Sequence, residues 1–147
     1  NLMHFYALEM GTFEQKTASS IKRNTSLPFS PYVVRGSQAL REKIGFDRVR
    51  GNTVTTPGFY APQGRVVRLL PKYPKLLEEL TNYRAKSRNF PLTNFEMETA
   101  GYYSLARMLG HEALSVSAII ANRAEKKFSK APNEAIDGLI QKVLERC

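Results

Sequence analysis

Hydrophobic and polar positions change period several times along the chain, and each change predicts an element boundary. Residues 13–24 carry a helical pattern that Pro28 and Pro31 interrupt, and the apolar run Tyr32-Val33-Val34 behind them reads as a buried strand. Ser37 is placed to cap a short helix in which Leu40 and Ile44 share a face, with Gly45 to end it. Residues 49–56 are rich in β-branched side chains and stop at Pro57-Gly58, as a strand running into a turn does. Leu76, Leu77, Leu80 and Tyr83 recur at helical spacing within 73–83, residues 86–89 form a polar break, and a short strand follows at 92–95. Residues 97–109 return to helical period with Gly101, Leu105, Met108 and Leu109 on one side, and Gly110 is placed to terminate them. Residues 113–121 are the most hydrophobic, β-rich stretch and predict a strand buried on both faces. In the last helix Ile136, Leu139, Ile140, Val143 and Leu144 form a full apolar stripe.

Strands alternating with helices predict an α/β layer structure whose sheet is largely parallel or mixed and flanked by helices. Ligands bind such sheets beyond the carboxyl ends of the strands, where the following loops converge. Three segments occupy that position: residues 58–65, 96–98 and 122–130.

Composition narrows the picture. A chain of 147 residues with 42% hydrophobic content can build one ordinary core. No apolar run reaches the roughly 18 residues that span a bilayer, so a soluble protein is expected. Cys147 is the single cysteine, which rules out an internal disulfide and favours a reducing, cytoplasmic compartment. The chain opens Asn1-Leu2-Met3-His4, with neither initiator methionine nor signal peptide, and an upstream segment is therefore expected. Lys and Arg outnumber Asp and Glu by 22 to 13, a net charge of +9 that favours anionic partners such as phosphate or nucleic acid. The basic residues cluster only briefly, at Arg84, Lys86 and Arg88 and at Arg123, Lys126, Lys127 and Lys130, without a nucleic-acid-binding motif.

The strand-end segments carry the candidate chemistry. In Gly58-Phe59-Tyr60-Ala61-Pro62-Gln63-Gly64-Arg65, Gln63 offers a donor and an acceptor, Arg65 donors alone, and Phe59 a ring to stack on a planar ligand. That set suits a heterocycle with adjacent N–H and C=O groups, although an ordinary surface loop contains the same residue types. Glu96 and Glu98 stand two apart where a strand turns into a helix. A carboxylate there can accept from two vicinal hydroxyls, as ribose presents them, or simply complement the helix dipole. Residues 119–123 run from an apolar strand into Asn122-Arg123. His4 and His111 are too few and too far apart for a metal site, and no glycine-rich phosphate loop is present.

Taken in order, these segments resemble the uridine phosphorylases of the nucleoside phosphorylase superfamily. Phe59, Gln63 and Arg65 fall where that family's base-recognition loop has Phe, Gln and Arg, and Asn94-Phe95-Glu96-Met97-Glu98 matches its ribose-binding motif. Ile120-Ala121-Asn122-Arg123 resembles the strand end lining the base pocket, with residues 124–130 as a flap, and the likeness runs from about Phe5 to Lys130.

The resemblance implies a three-layer α/β nucleoside phosphorylase fold, with residues 1–147 as the C-terminal part of a single domain whose N-terminal half lies elsewhere. It implies a pentosyltransferase of pyrimidine salvage: inorganic phosphate, the co-substrate, attacks the anomeric carbon of uridine or a related nucleoside and releases the base and ribose 1-phosphate. No cofactor or metal is implied. Glu98 would grip the ribose 2′ and 3′ hydroxyls, Met97 would pack on the sugar, Glu96 would support the turn, Gln63 would read the uracil amide edge, Arg65 would stabilise charge on the departing base, and Phe59, Ile120 and Ala121 would line the pocket. Purine-specific members tend to carry Asp where Asn122 stands, and an amide is no general acid, so pyrimidine is favoured. A dimer or hexamer is implied, with neither nucleic acid nor membrane as partner. The phosphate-binding residues would belong to the other half, so these 147 residues alone are expected to be inactive. The competing readings are a purine nucleoside phosphorylase, a nucleosidase, and a basic nucleic-acid-binding module.

Overall fold

The computed structural model describes residues 6, 8–83, 91–122, 125 and 127–147. The predicted polar break at 86–89, the cluster at Arg84, Lys86 and Arg88, Arg123 of the expected strand end, and Ala124 and Lys126 of the expected flap lie outside the described residues. The chain divides into two units, residues 1–35 with 49–113 and residues 36–48 with 114–147.

In the first unit, α1 (Thr12–Asn24) starts where the Gly11 amide donates to Glu14 Oε2 at 2.8 Å, satisfying an amide at the helix start. Its inner face is Thr17, Ala18 and Ile21, all buried. Ile21, Leu80 and Tyr83 form the core, and Leu27, Val33, Val54, Leu76, Leu92 and Phe95 pack around them. β1 (Asn52–Thr55), α3 (Leu76–Asn82) and β2 (Leu92–Glu96) make the predicted crossover, and the two strands pair in parallel with Val54 opposite Phe95 and Thr55 opposite Glu96. β2 leads through Met97 and Glu98 into α4 (Thr99–Met108). The pattern had started this helix at 97, but Met97 and Glu98 belong to the turn before it. Gly110 closes α4 at φ 73° while His111 N bonds Ala106 O at 2.8 Å and Gly110 N bonds Arg107 O at 3.2 Å, a Schellman ending that explains the glycine.

Buried Glu14 links three segments of this unit. Its carboxylate takes both terminal nitrogens of Arg107 at 2.6 and 2.8 Å, and the Arg35 amide at 3.0 Å. Burial alone would raise the Glu14 carboxyl, but the hydrogen bonds from Arg107, Gly11 and Arg35, with the Arg107 charge, outweigh it and hold the group below its ordinary value.

Tyr32-Val33-Val34 is not a strand. Its segment's amides go to side chains instead of a ladder: Val33 N to Met10 Sδ at 3.3 Å and Arg35 N to Glu14.

In the second unit, the Ser37 hydroxyl accepts from Leu40 N at 3.0 Å and caps α2 (Gln38–Lys43) as its position predicts. Residues 113–120 form no strand, which corrects the doubly buried strand expected there. Leu114, Val116 and Ala118 are half-buried while Ser115, Ser117 and Ile119 are exposed, so the run covers one face, and among the described residues no strand pairs with it. Pairing begins at β3 (Ala121–Asn122), antiparallel to β4 (Lys127–Phe128). α5 (Pro132–Leu144) has Pro at its first position, where the missing amide costs nothing. Of its apolar stripe, Leu139 and Val143 are half-buried and Ile136, Ile140 and Leu144 are exposed. Beyond α5, Arg146 bonds Asp47 through both oxygens at 2.7 and 2.9 Å and Ile44 O at 2.7 Å, and the Arg146 bond brings the Asp47 pKa down to about 2. The molecule is α/β, and no described helix is long and apolar enough to cross a membrane.

Candidate functional site

Parallel pairing sends β1 and β2 out at the same end, and Thr56 N extends the ladder to Glu96 O at 3.0 Å. Two of the three predicted segments therefore emerge side by side.

The segment after β1 folds on itself. Gln63 N and Arg65 N both bond Tyr60 O at 3.0 Å, and residues 61–63 form one turn of 3₁₀ helix that Gly64 closes at φ 72°. A Cβ on Gly64 would stand 2.9 Å from Leu77 Cδ2, so a glycine lets the loop lie against α3. Gln63 is 3% exposed, and its Oε1 accepts from Arg65 Nη1 at 2.8 Å. The same nitrogen bonds Phe59 O, and the guanidinium lies 3.5 Å from the Phe59 ring centroid. Phe59 meets Tyr60 edge to face at 5.4 Å. An aromatic face, a buried amide and a cation are thus locked together within seven residues.

The turn after β2 is organised by Glu96. Its Oε2 accepts from the Glu98 and Thr99 amides, both at 2.6 Å, and its Oε1 accepts from the Thr55 hydroxyl. Burial pushes the Glu96 carboxyl up, and the bonds from Thr55, Thr99 and Glu98 more than offset this, leaving it below its ordinary value. Both oxygens are committed to protein donors. Met97 and Glu98 are exposed, and Glu98 Oε2 receives the Met97 amide at a long 3.3 Å. Glu98 is the N-cap residue of α4, but its side chain makes no capping bond.

Phe59, Gln63 and Arg65 thus share one loop, and Glu96, Met97 and Glu98 the adjacent turn. Ile120 and Ala121 belong to the second unit, where both are exposed. There Asn122 Oδ1 accepts from Glu125 N at 3.1 Å and Ser129 N bonds Ile120 O at 2.9 Å, which shapes the hairpin. Sequence patterning missed Thr55, whose partnership with Glu96 depends on strand register, and Arg107, whose partner lies 93 residues away. Among the described residues no three His, Cys, Asp or Glu side chains cluster as metal ligands. An open groove of about 470 Å³ lined by Asn24, Lys75, Glu78, Glu79, Asn82 and Tyr83 shares no residue with either loop. Its Glu79 is engaged by Ser26 N at 2.6 Å.

A uridine phosphorylase from Thermococcus kodakarensis is 38% identical over 90 residues, which is 61% of this chain and 31% of that protein. The crystal structure of a Trypanosoma brucei nucleoside phosphorylase, which shows uridine phosphorylase activity, matches with a TM-score of 0.88 and 25% identity. It covers 99% of this chain, and the chain spans 53% of it. The Phosphorylase superfamily profile matches residues 10–147, and with nearly the whole length matched and the fold in agreement, the chain belongs to that superfamily.

Proposed function

We propose that this chain supplies the base- and ribose-recognition part of a phosphorolytic site that cleaves uridine or a related pyrimidine nucleoside, with inorganic phosphate as co-substrate bound by residues beyond these 147. The observation that carries the reading is the stacked Phe59–Arg65–Gln63 cluster emerging beside the turn that Glu96 holds in shape. Phe59 offers a face for the base, Gln63 its amide, and the remaining guanidinium N–H groups of Arg65 a place for charge. Glu98 accepts from the sugar hydroxyls and Met97 lies against the ring.

In the reaction a phosphate oxygen forms a bond to the anomeric carbon as the bond from that carbon to the base nitrogen breaks. The bonding pair leaves with the base. Negative charge then spreads onto the base oxygens, and a cation fixed beside them lowers the barrier because it meets the most charge in the transition state. Asn122 carries an amide, which is no general acid for a departing purine, and this supports the pyrimidine preference. A homo-oligomer, dimer or hexamer, in the cytoplasm is part of the same reading.

The test is uracil release from uridine by the intact protein, with and without phosphate, against inosine. Phosphate-dependent release from uridine well ahead of inosine is expected. Release without phosphate would point to a nucleosidase, and inosine as the better substrate to a purine enzyme.

A further inference from the structure

A helix whose N-cap carboxylate caps none of its own first-turn amides is unusual, because those amides have no intrahelical acceptors and a nearby acidic side chain ordinarily folds back onto them. In α4 those amides are served from outside the helix. Thr99 N bonds Glu96 Oε2 at 2.6 Å, and Ala100 N bonds Thr55 Oγ1 at 2.9 Å. Thr55 is the last residue of β1 and lies opposite Glu96 in the ladder. A hydroxyl has one proton and two lone pairs, and Thr55 uses them on both sides: it donates to Glu96 Oε1 while accepting from Ala100. Two residues of neighbouring strand ends therefore do the capping that Glu98 would otherwise do.

We infer that the Thr55 hydroxyl is a positioning element of the sugar site: by capping α4 together with Glu96 it keeps the Glu98 carboxylate off its own helix and turned to the ligand. This rests on the nucleoside reading of the site. Without the hydroxyl, Ala100 N loses its acceptor and Glu96 loses one donor. Glu98, the N-cap residue, then has an unserved first-turn amide beside it, and a carboxylate drawn onto that amide no longer serves the ribose. Both hydrogen bonds of the Thr55 hydroxyl go to protein groups, so its effect on the sugar passes through the turn that carries Glu98.

The experiment compares Thr55→Val and Thr55→Ser in the intact protein, with uridine and 2′-deoxyuridine as substrates. Valine keeps the branched shape and removes the hydroxyl; serine keeps the hydroxyl. Thr55→Val should raise KM for uridine by about ten-fold, the scale of one charge-assisted hydrogen bond, with a smaller change for deoxyuridine, and Thr55→Ser should keep the wild-type preference. A merely structural role would weaken both substrates equally. Equal losses, or a Thr55→Val enzyme with wild-type preference, would overturn the inference while leaving the functional reading intact. A wild-type protein unable to cleave uridine would overturn the reading, and this inference with it. Should Thr55→Val fail to fold, Thr55→Ala takes its place beside Thr55→Ser under the same criteria.

Discussion

Arg65 holds three partners at once: the Phe59 ring, the Phe59 carbonyl and the Gln63 amide oxygen. Removing it deletes a cation and also releases the side chains that it orients. Under the proposed chemistry the charge it meets peaks in the transition state, so Arg65→Ala should lower kcat by about 10²-fold or more, with a smaller rise in KM. Steady-state uracil release would show an unchanged kcat if the loop were misassigned. Glu98, in the adjacent turn, is exposed. Under the same proposal Glu98→Gln removes a charge shared by two sugar hydroxyls, so uridine should lose roughly 1.5–3 kcal/mol of binding and deoxyuridine less. Titration of both ligands by calorimetry reads the difference directly. The residue types at these positions were legible in the sequence because local motifs carry them. Their supports were not: Thr55 reaches Glu96 only once β1 and β2 are in register, and no pattern within either segment contains that register.

Among the elements, those with a local stop or start signal agree with their sequence patterns. Ser37 caps α2, and Gly110 ends α4, because both need nothing beyond their own neighbours. Tyr32-Val33-Val34 and residues 113–120 have the composition of strands without being strands, since a strand exists only where another backbone offers a ladder. The two positive-φ glycines separate strain from crowding. Gly110→Ala meets no atom within 4 Å and should cost only the left-handed backbone penalty of about 1 kcal/mol. Gly64→Ala adds a contact at 2.9 Å with Leu77, so its melting temperature should fall further. Equal shifts in a thermal scan would count against that packing of the loop on α3.

Between α1 and α4 the tie is ionic. Because the Glu14 carboxyl is held below its unfolded value, the bond contributes stability above roughly pH 4.3, the unfolded carboxyl value, and loses it as pH falls through the folded one. Arg107→Ala should cost about 2–3 kcal/mol near neutrality, because it strands a carboxylate that is 4% exposed, and should cost progressively less toward pH 3. Urea midpoints at several pH values measure both, and a pH-independent difference between the two proteins would argue against the pair.

For the whole molecule, the decisive quantity is how much of the reaction 147 residues can hold. Under the proposed reading the base and sugar contacts lie within them and the phosphate contacts outside. Proximity of phosphate to the anomeric carbon is worth roughly 7–11 kcal/mol of the barrier, so the isolated chain should release no uracil from uridine and phosphate. Supplying the remaining part of the polypeptide should restore turnover. Strong activity from the chain alone would place phosphate binding inside it. The parallel β1–β2 ladder has a further consequence, kinetic in nature. Thr55 and Glu96 stand 41 residues apart in sequence, so the two strand-end loops become neighbours only through a long-range closure, the kind of contact that forms late and sets slow folding rates. Nucleoside bound across both loops would then resist the opening of the ladder itself. Uridine should slow amide hydrogen exchange at Val54 and Phe95, in the strands, and not merely in the loops that touch it.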